Sequence, residues 1–188
     1  HKDMTTYLLP SLRLWIVSLL VCALGYSALV YGFAQTVAPF QAEGSILMRD
    51  GKPVGSALIA QNFAQERYFW PRPSAADYNG VGAAGSNLSP TSDKLKQRAS
   101  ETVSRYAAAD DNPLPADLVA ASGGGLDPHI SLAGARYQAG RVAAARALPV
   151  ADVETLIDRM AFAPGGPAAP DRIVNVLELN LALDRLAR

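Results

Sequence analysis

Between Leu14 and Ala42 no residue carries a charge, whereas polar and apolar positions alternate over short distances everywhere else. Residues 14–34 read LWIVSLLVCALGYSALVYGFA. At ~1.5 Å rise per residue, a helix of this length crosses a hydrocarbon layer of ~30 Å. A lone span must satisfy its own backbone hydrogen bonds, so the expectation is a transmembrane helix over 14–34. Ser18, Gly25 and Ser27 suit such a helix and are candidate positions for close packing against another one. Trp15, Tyr26 and Tyr31 fit interfacial rings only loosely. A linker is expected over 35–44, with Pro39 inside it.

The pattern then shortens. Ser45–Arg49 and Pro53–Gln61 flank Asp50-Gly51-Lys52 and read as a hairpin with a tight turn. Arg67–Pro90 is rich in proline, glycine and serine, the usual mark of a linker. It also carries Tyr68, Phe69, Trp70 and Tyr78, so an ordered loop packed on a surface is expected. Ser92 is placed as the N-cap of a helix over Asp93–Ala108, with Leu95, Ala99, Val103 and Tyr106 along one side. Asn112–Pro115 breaks that helix. Ala116–Ala121 reads as a helical turn or a short strand, and Ser122-Gly123-Gly124-Gly125 as an abrupt stop. Ser131 is expected to cap a helix running to Arg146. A second helix follows over Val150–Met160, with Val153, Leu156, Ile157 and Met160 inward. A loop over Ala163–Pro167, a strand over Arg172–Val176 and a final amphipathic helix to Leu186 complete the reading. The fold class is α/β (α+β): one transmembrane helix, then one small mixed α/β domain over 45–188.

A cleaved signal peptide competes with the anchor, because Gly32-Phe33-Ala34 offers small residues for cleavage. The apolar run of about 20 residues exceeds the ~7–15 of a signal peptide, which favours an uncleaved anchor. His1-Lys2-Asp3 is expected to be a tag remnant ahead of a start at Met4. Arg13 and the amino terminus favour residues 1–13 in the cytoplasm and the C-terminal domain outside.

Composition narrows the classes further. Lysine plus arginine total 17, as do aspartate plus glutamate, so the basic excess of a nucleic-acid binder is missing. Cys22 is the only cysteine and lies within the apolar run, which excludes a disulfide-stapled scaffold.

Gly80-Val81-Gly82-Ala83-Ala84-Gly85 spells a dinucleotide-binding fingerprint. That chemistry requires a strand before it and a helix opening from it, and Pro71, Pro73 and Pro90 argue against both. Gly125-Leu126-Asp127-Pro128-His129-Ile130-Ser131 is the densest polar cluster. A hydrolase would use His129 as base, Asp127 as its orienter and Ser122, Ser86 or Ser131 as nucleophile, with no nucleophile-elbow motif in support. A metal site would have Asp127 and His129 but, apart from His1 in the expected tag remnant, no second histidine. The reading preferred here is that Asp127 and His129 bond backbone groups and fix a turn before the capped helix. Arg67, Arg72 and the neighbouring aromatics suit either a partner surface or arginine stacked on rings within the domain.

Several segments, taken in order, resemble one family. They are the apolar anchor, Gly55–Gln61, Tyr68-Phe69 with Arg72-Pro73-Ser74-Ala75, Gly85-Ser86-Asn87-Leu88 with Pro90-Thr91, Pro115–Val119, Ser122–Ser131, Val174–Leu177 and Leu179–Asp184. The chain resembles KdpC, the C subunit of the bacterial high-affinity potassium-transporting Kdp ATPase. It departs from the family pattern at Ala83, Ala84, Ser89, Ala120 and Gly124. The resemblance implies a non-catalytic accessory subunit whose partners are a channel-like A subunit, an ATP-hydrolysing B subunit and a small F subunit. It implies no tightly bound cofactor, with ATP present only in the complex with B, and a catalytic-chaperone role that raises the ATP affinity of B. The family's proposed nucleotide contact falls on Gln138, which reads on its own as an ordinary polar helix-face residue. A domain outside the cell cannot touch cytoplasmic ATP, so its influence there would be allosteric, from a place over the potassium entrance of A. Tyr68, Phe69, Arg72, Ser86, Asn87, Asp127 and His129 are the candidate partner-interface residues.

Overall fold

The computed structural model describes residues 5–169 and 171–186. The expected tag remnant and the Met4 start lie outside these residues. The chain divides into two units, up to Ile46 and from Leu47 onward.

The first unit is a long helix: α1 (Thr5–Ser18), a π-helical stretch (Leu19–Gly25) and α2 (Tyr26–Val37). Its Thr6–Val37 portion has 32 residues, of which an 18-residue stretch has a mean hydropathy of 2.0 and none buried, and it is long and apolar enough to cross a membrane. At 1.5 Å per residue it reaches about 48 Å, more than a hydrocarbon core requires. The helix therefore continues into the expected linker, because nothing in Gln35-Thr36-Val37 stops it. It breaks at Ala38 (φ −145°), where Pro39 disfavours helical backbone in the preceding residue, and Pro39 then opens the one-turn α3 (Pro39–Ala42). The wider π turns hold Cys22 and Gly25, while Ser18 and Ser27 lie just outside them.

The hairpin forms as expected from β1 (Ile46–Arg49) and β2 (Lys52–Ser56). Asp50 and Gly51 take positive φ of 50° and 74°, which a two-residue type I′ turn demands. The second strand stops at Ser56, short of Gln61, because the Ser56 hydroxyl accepts from Leu58 N at 3.1 Å and turns the chain. Gln61 instead folds back and donates to Val54 O at 3.1 Å. Its amide lies 1.5 Å from where a Cβ at Gly55 would sit, and Gly55 has a φ of +155°, so a larger residue there would displace the amide and strain the backbone.

Next come α4 (Asp93–Arg105) and the single turn α5 (Ala116–Val119), which decides the ambiguous segment as helix. Ser92 caps α4 with its backbone, not its side chain: its carbonyl accepts from Leu95 N and Lys96 N. No residue of α4 is fully buried, and the helix ends before Ala107, whose φ is +47°.

The core lies among α6 (Leu132–Arg146), α7 (Val150–Met160), α8 (Val176–Leu186) and an antiparallel pair, β3 (His129–Ser131) with β4 (Ile173–Asn175). The register sets His129 opposite Asn175, Ile130 opposite Val174 and Ser131 opposite Ile173. β4 is the anticipated strand, one residue shorter at each end. β3 falls where a turn was expected, since three residues carry no periodicity and their partner lies far along the chain. Ser131 caps α6 as expected, accepting from Gly134 N at 2.8 Å. The buried face of α6 is mostly glycine and alanine, which lets α7 approach with Val153, Leu156 and Ile157 inward and Met160 half-buried. Ala147 (φ +53°) closes α6, with Leu148 N bonded to Ala143 O at 3.0 Å.

The largest departure from expectation concerns the proline-rich segment. It does not merely pack on a surface: Phe69 is 0% exposed and Trp70 2%. A buried extended backbone needs partners for every N–H and C=O, and no strand pairs with these two residues. Two side-chain amides substitute for one. Asn180 on α8 accepts from Phe69 N at 2.8 Å and donates to Phe69 O at 3.0 Å. Gln138 on α6 accepts from Trp70 N at 2.8 Å and donates to Trp70 O at 3.1 Å. Each amide reproduces the donor and acceptor of a neighbouring strand residue. Replacing either by leucine strands a buried N–H and a buried C=O. Gln138→Leu and Asn180→Leu are each expected to lower unfolding free energy by about 2–4 kcal/mol, as read from denaturant titration of the full chain in detergent.

Candidate functional site

Beyond the clamped pair the chain emerges at Arg72, beside the Asp127–His129 turn. Arg72 Nη1 donates to Asp127 Oδ2 at 2.9 Å, and Nη2 reaches the carbonyls of Ala120 and Ala121 at 3.4 and 3.5 Å. The other Asp127 oxygen accepts from His129 N at 3.0 Å and faces His129 Nδ1 at 3.4 Å. The His129 ring stands edge-on to Phe162, centroids 5.6 Å apart. Burial works against charge on Asp127, but the His129 hydrogen bonds and Arg72 outweigh it and hold the carboxyl down at about 2.

Asp127 fixes the turn leading into β3 through the His129 N–H, as expected, whereas the His129 ring faces Asp127 and packs on Phe162 in place of bonding backbone. Both Asp127 oxygens are engaged, and among the described residues no serine hydroxyl hydrogen-bonds the His129 ring. Ser131 Oγ is committed to α6 and to Asp117 Oδ1 at 2.9 Å, while Ser122 is 4% exposed. The Gly80–Gly85 fingerprint lies in an irregular segment with no strand leading in, and the next helix begins only at Asp93. Among the described residues no three His, Cys, Asp or Glu side chains converge on a point that would hold a metal.

Two of the candidate positions need correction. Phe69 is enclosed in the core and presents no atom to a partner. Gln138 is 1% exposed, so it does not lie on a polar helix face. Its amide bonds both groups of the Trp70 backbone, and its oxygen also accepts from Arg141 Nη2 at 2.7 Å. Tyr68 is half-buried, its hydroxyl donating to Asp184 Oδ2 at 3.2 Å. Ser86 is half-buried and Asn87 exposed, in a left-handed conformation (φ +48°).

Sequence reasoning missed an arginine cradle around these aromatics. The guanidiniums of Arg141 and Arg105 sit 3.6 and 3.9 Å from the Trp70 centroid. Two cations that close to one centroid must occupy opposite ring faces. Arg141 also donates to Tyr68 O at 3.1 Å. Arg146 lies over the Tyr68 ring at 4.9 Å and pairs with Asp184 at 2.8 Å. Arg49 pairs with the other Asp184 oxygen, fastening the hairpin to α8. Burial opposes charge on Asp184, but Arg146, Tyr68 and Arg49 outweigh it and keep its carboxyl below the usual range. The available signal was a polar amide inside an apolar helix stripe, Gln138 between Gly134 and Val142, and Asn180 between Leu179 and Leu183.

The Asp127 pair has a pH signature. Its carboxyl ionises lower in the folded chain (about 2) than at its ordinary value of 3.8. The stabilisation is therefore present above about pH 4 and is lost as pH falls through about 2. Asp127→Asn should flatten part of the stability decline across that window, measured by denaturant unfolding at a series of pH values.

The chain matches the family described as KdpC, K+-transporting ATPase, c chain, over residues 8–185. It is 61% identical over 179 residues to the potassium-transporting ATPase KdpC subunit of Parvibaculum lavamentivorans, covering 95% of this chain and 96% of that protein. The protein of the same name from Methylibium petroleiphilum is 47% identical over 96% of this chain and 98% of its own length. That from Mycobacterium bovis is 43% identical over 97% of this chain and 100% of its own length. With the match running from the apolar helix through α8, the chain belongs to the KdpC family, the c chain of the potassium-transporting ATPase.

Proposed function

We propose that this chain is a non-catalytic subunit that stabilises an ATP-driven potassium uptake complex in the inner membrane. Its helix would dock among the membrane segments of A, B and F subunits, with Ser18, Gly25 and Ser27 as close-packing positions. Its domain would lie outside the cell, over the potassium entrance of the A subunit. From there it would raise the ATP affinity of the B subunit indirectly. The observation that carries this reading is the family match across nearly the whole chain, helix and domain together. The geometry supports it in two ways. Gln138 is 1% exposed and bonded to the Trp70 backbone, which favours an indirect effect on ATP over a direct contact. The Asp127–His129 turn is engaged with backbone and Arg72, which favours a binding module over a hydrolase.

An indirect effect requires two pump states that the subunit binds unequally. Removing this chain from the assembled complex should weaken complex recovery and raise the KM for ATP by about 5-fold or more, within the range of allosteric couplings. Unchanged recovery and unchanged potassium-stimulated ATP hydrolysis would sink the proposal. Topology has its own check. In a Cys22→Ser background, Ala145→Cys on the exposed side of α6 should react with a membrane-impermeant thiol reagent in intact spheroplasts. Labelling only after lysis would put the domain inside.

A further inference from the structure

Three loops of the domain meet at one end. The segment after β2 joins the Gly123–Gly125 turn through Ala60 N bonded to Leu126 O at 3.0 Å. The Gly80–Gly85 loop joins the same turn through Ala84 N bonded to Gly124 O at 3.0 Å. It also touches the first segment, since a Cβ at Gly80 would lie 3.8 Å from Ile59 Cδ1. The approach is backbone to backbone: a Cβ at Gly85 would fall 2.6 Å from Gly123 O, and one at Gly125 2.8 Å from Ala84 O. Side chains larger than hydrogen would push the loops apart.

None of the residues in 57–60, 79–87 and 122–126 is charged or aromatic, in a chain whose charged fraction is 18%. Out of this surface project Leu58, 61% exposed, and Val81, 98% exposed. Val81 does not hang on a loose tether. Asn79 Oδ1 accepts from Val81 N at 3.0 Å, Asn79 O accepts from Gly82 N at 3.0 Å, and Ser74 Oγ anchors Gly125 O at 2.6 Å. The aliphatic knob is thus held out by a pre-ordered turn, which lowers the entropy lost when it is covered.

We propose that this three-loop end is a protein-docking surface that seats Val81 and Leu58 in an uncharged, apolar recess of another chain of the potassium-transporting complex. The proposal rests on the accessory-subunit reading above and adds which face of the domain makes the contact. Charge complementarity points to a neutral protein recess, because a charged partner surface would lose its hydration here and gain no counter-charge. A lipid surface would call for Trp, Tyr, Lys or Arg at the contact, and these loops have none. The glycines allow a partner backbone to come close around the knob.

The test uses the full chain with Cys22→Ser, carrying Val81→Cys, Leu58→Cys or, as a control on an exposed valine of α7, Val150→Cys. Maleimide labelling rates are compared for the chain alone in detergent, the chain alone in lipid nanodiscs, and the assembled complex. Cysteines at 81 and 58 should label about tenfold or more slowly in the complex, as expected where water is excluded at an interface centre, while the one at 150 is unchanged. Equal labelling at 81 and 58 in an intact complex would overturn the docking surface alone. Slowing already present in nanodiscs without partners would assign the tip to lipid and also overturn it. Failure of the wild-type chain to enter any complex would overturn the accessory-subunit reading and this proposal with it.

Discussion

A backbone stretch can remain buried only if each N–H and C=O finds a partner, and the domain is organised around one such stretch. Phe69 and Trp70 lie in the core without a neighbouring strand, and the amides of Asn180 and Gln138 supply the missing ladder. The two amides come from different helices, α8 and α6, so satisfying one dipeptide fixes the spacing of both helices. Neither amide can turn toward solvent without stranding the backbone it serves. This explains polar residues at 1% and 2% exposure on faces otherwise lined by Ala, Val and Leu.

The arginines extend the same logic outward. Carbonyls that the extended segment leaves unpaired at Tyr68 and Arg67 are taken up by Arg141 and Arg146. Their planar charges also cover the rings of Trp70 and Tyr68, burying aromatic surface beside the Tyr106 and Phe63 rings. Asp184 gathers Arg146, Arg49 and Tyr68, so the hairpin, the threaded segment and α8 are joined at one carboxylate. On the other side of the clamp, Arg72 and Asp127 join the segment to the turn that leads into β3. The proline-rich segment thereby acts as the seam of the domain.

The domain commits many of its buried polar side chains to its own backbone. What such a domain offers a partner is shape: fixed loops at one end, a hairpin at another, and few free charges near its glycine turns.

The sequence alone was enough for whatever depends on local chemistry or on sheer hydrophobic length. An uncharged run had to be helix, Asp50-Gly51 had to be a tight turn, Ser131 had to cap α6, and the 3.6-residue period placed Val153, Leu156 and Ile157 inside. Family motifs in order were also legible, because they reside in residue identity. The tertiary structure decided what depends on distant partners. Phe69 and Gln138 read as surface residues because proline and glycine nearby signal a loop, and a glutamine signals solvent. Only the arrival of α6 and α8 at residues 69–70 made Phe69 a core ring and Gln138 the partner of the Trp70 backbone. β3 and the three-loop end likewise have no local signature, since their hydrogen bonds join segments that the chain order keeps far apart.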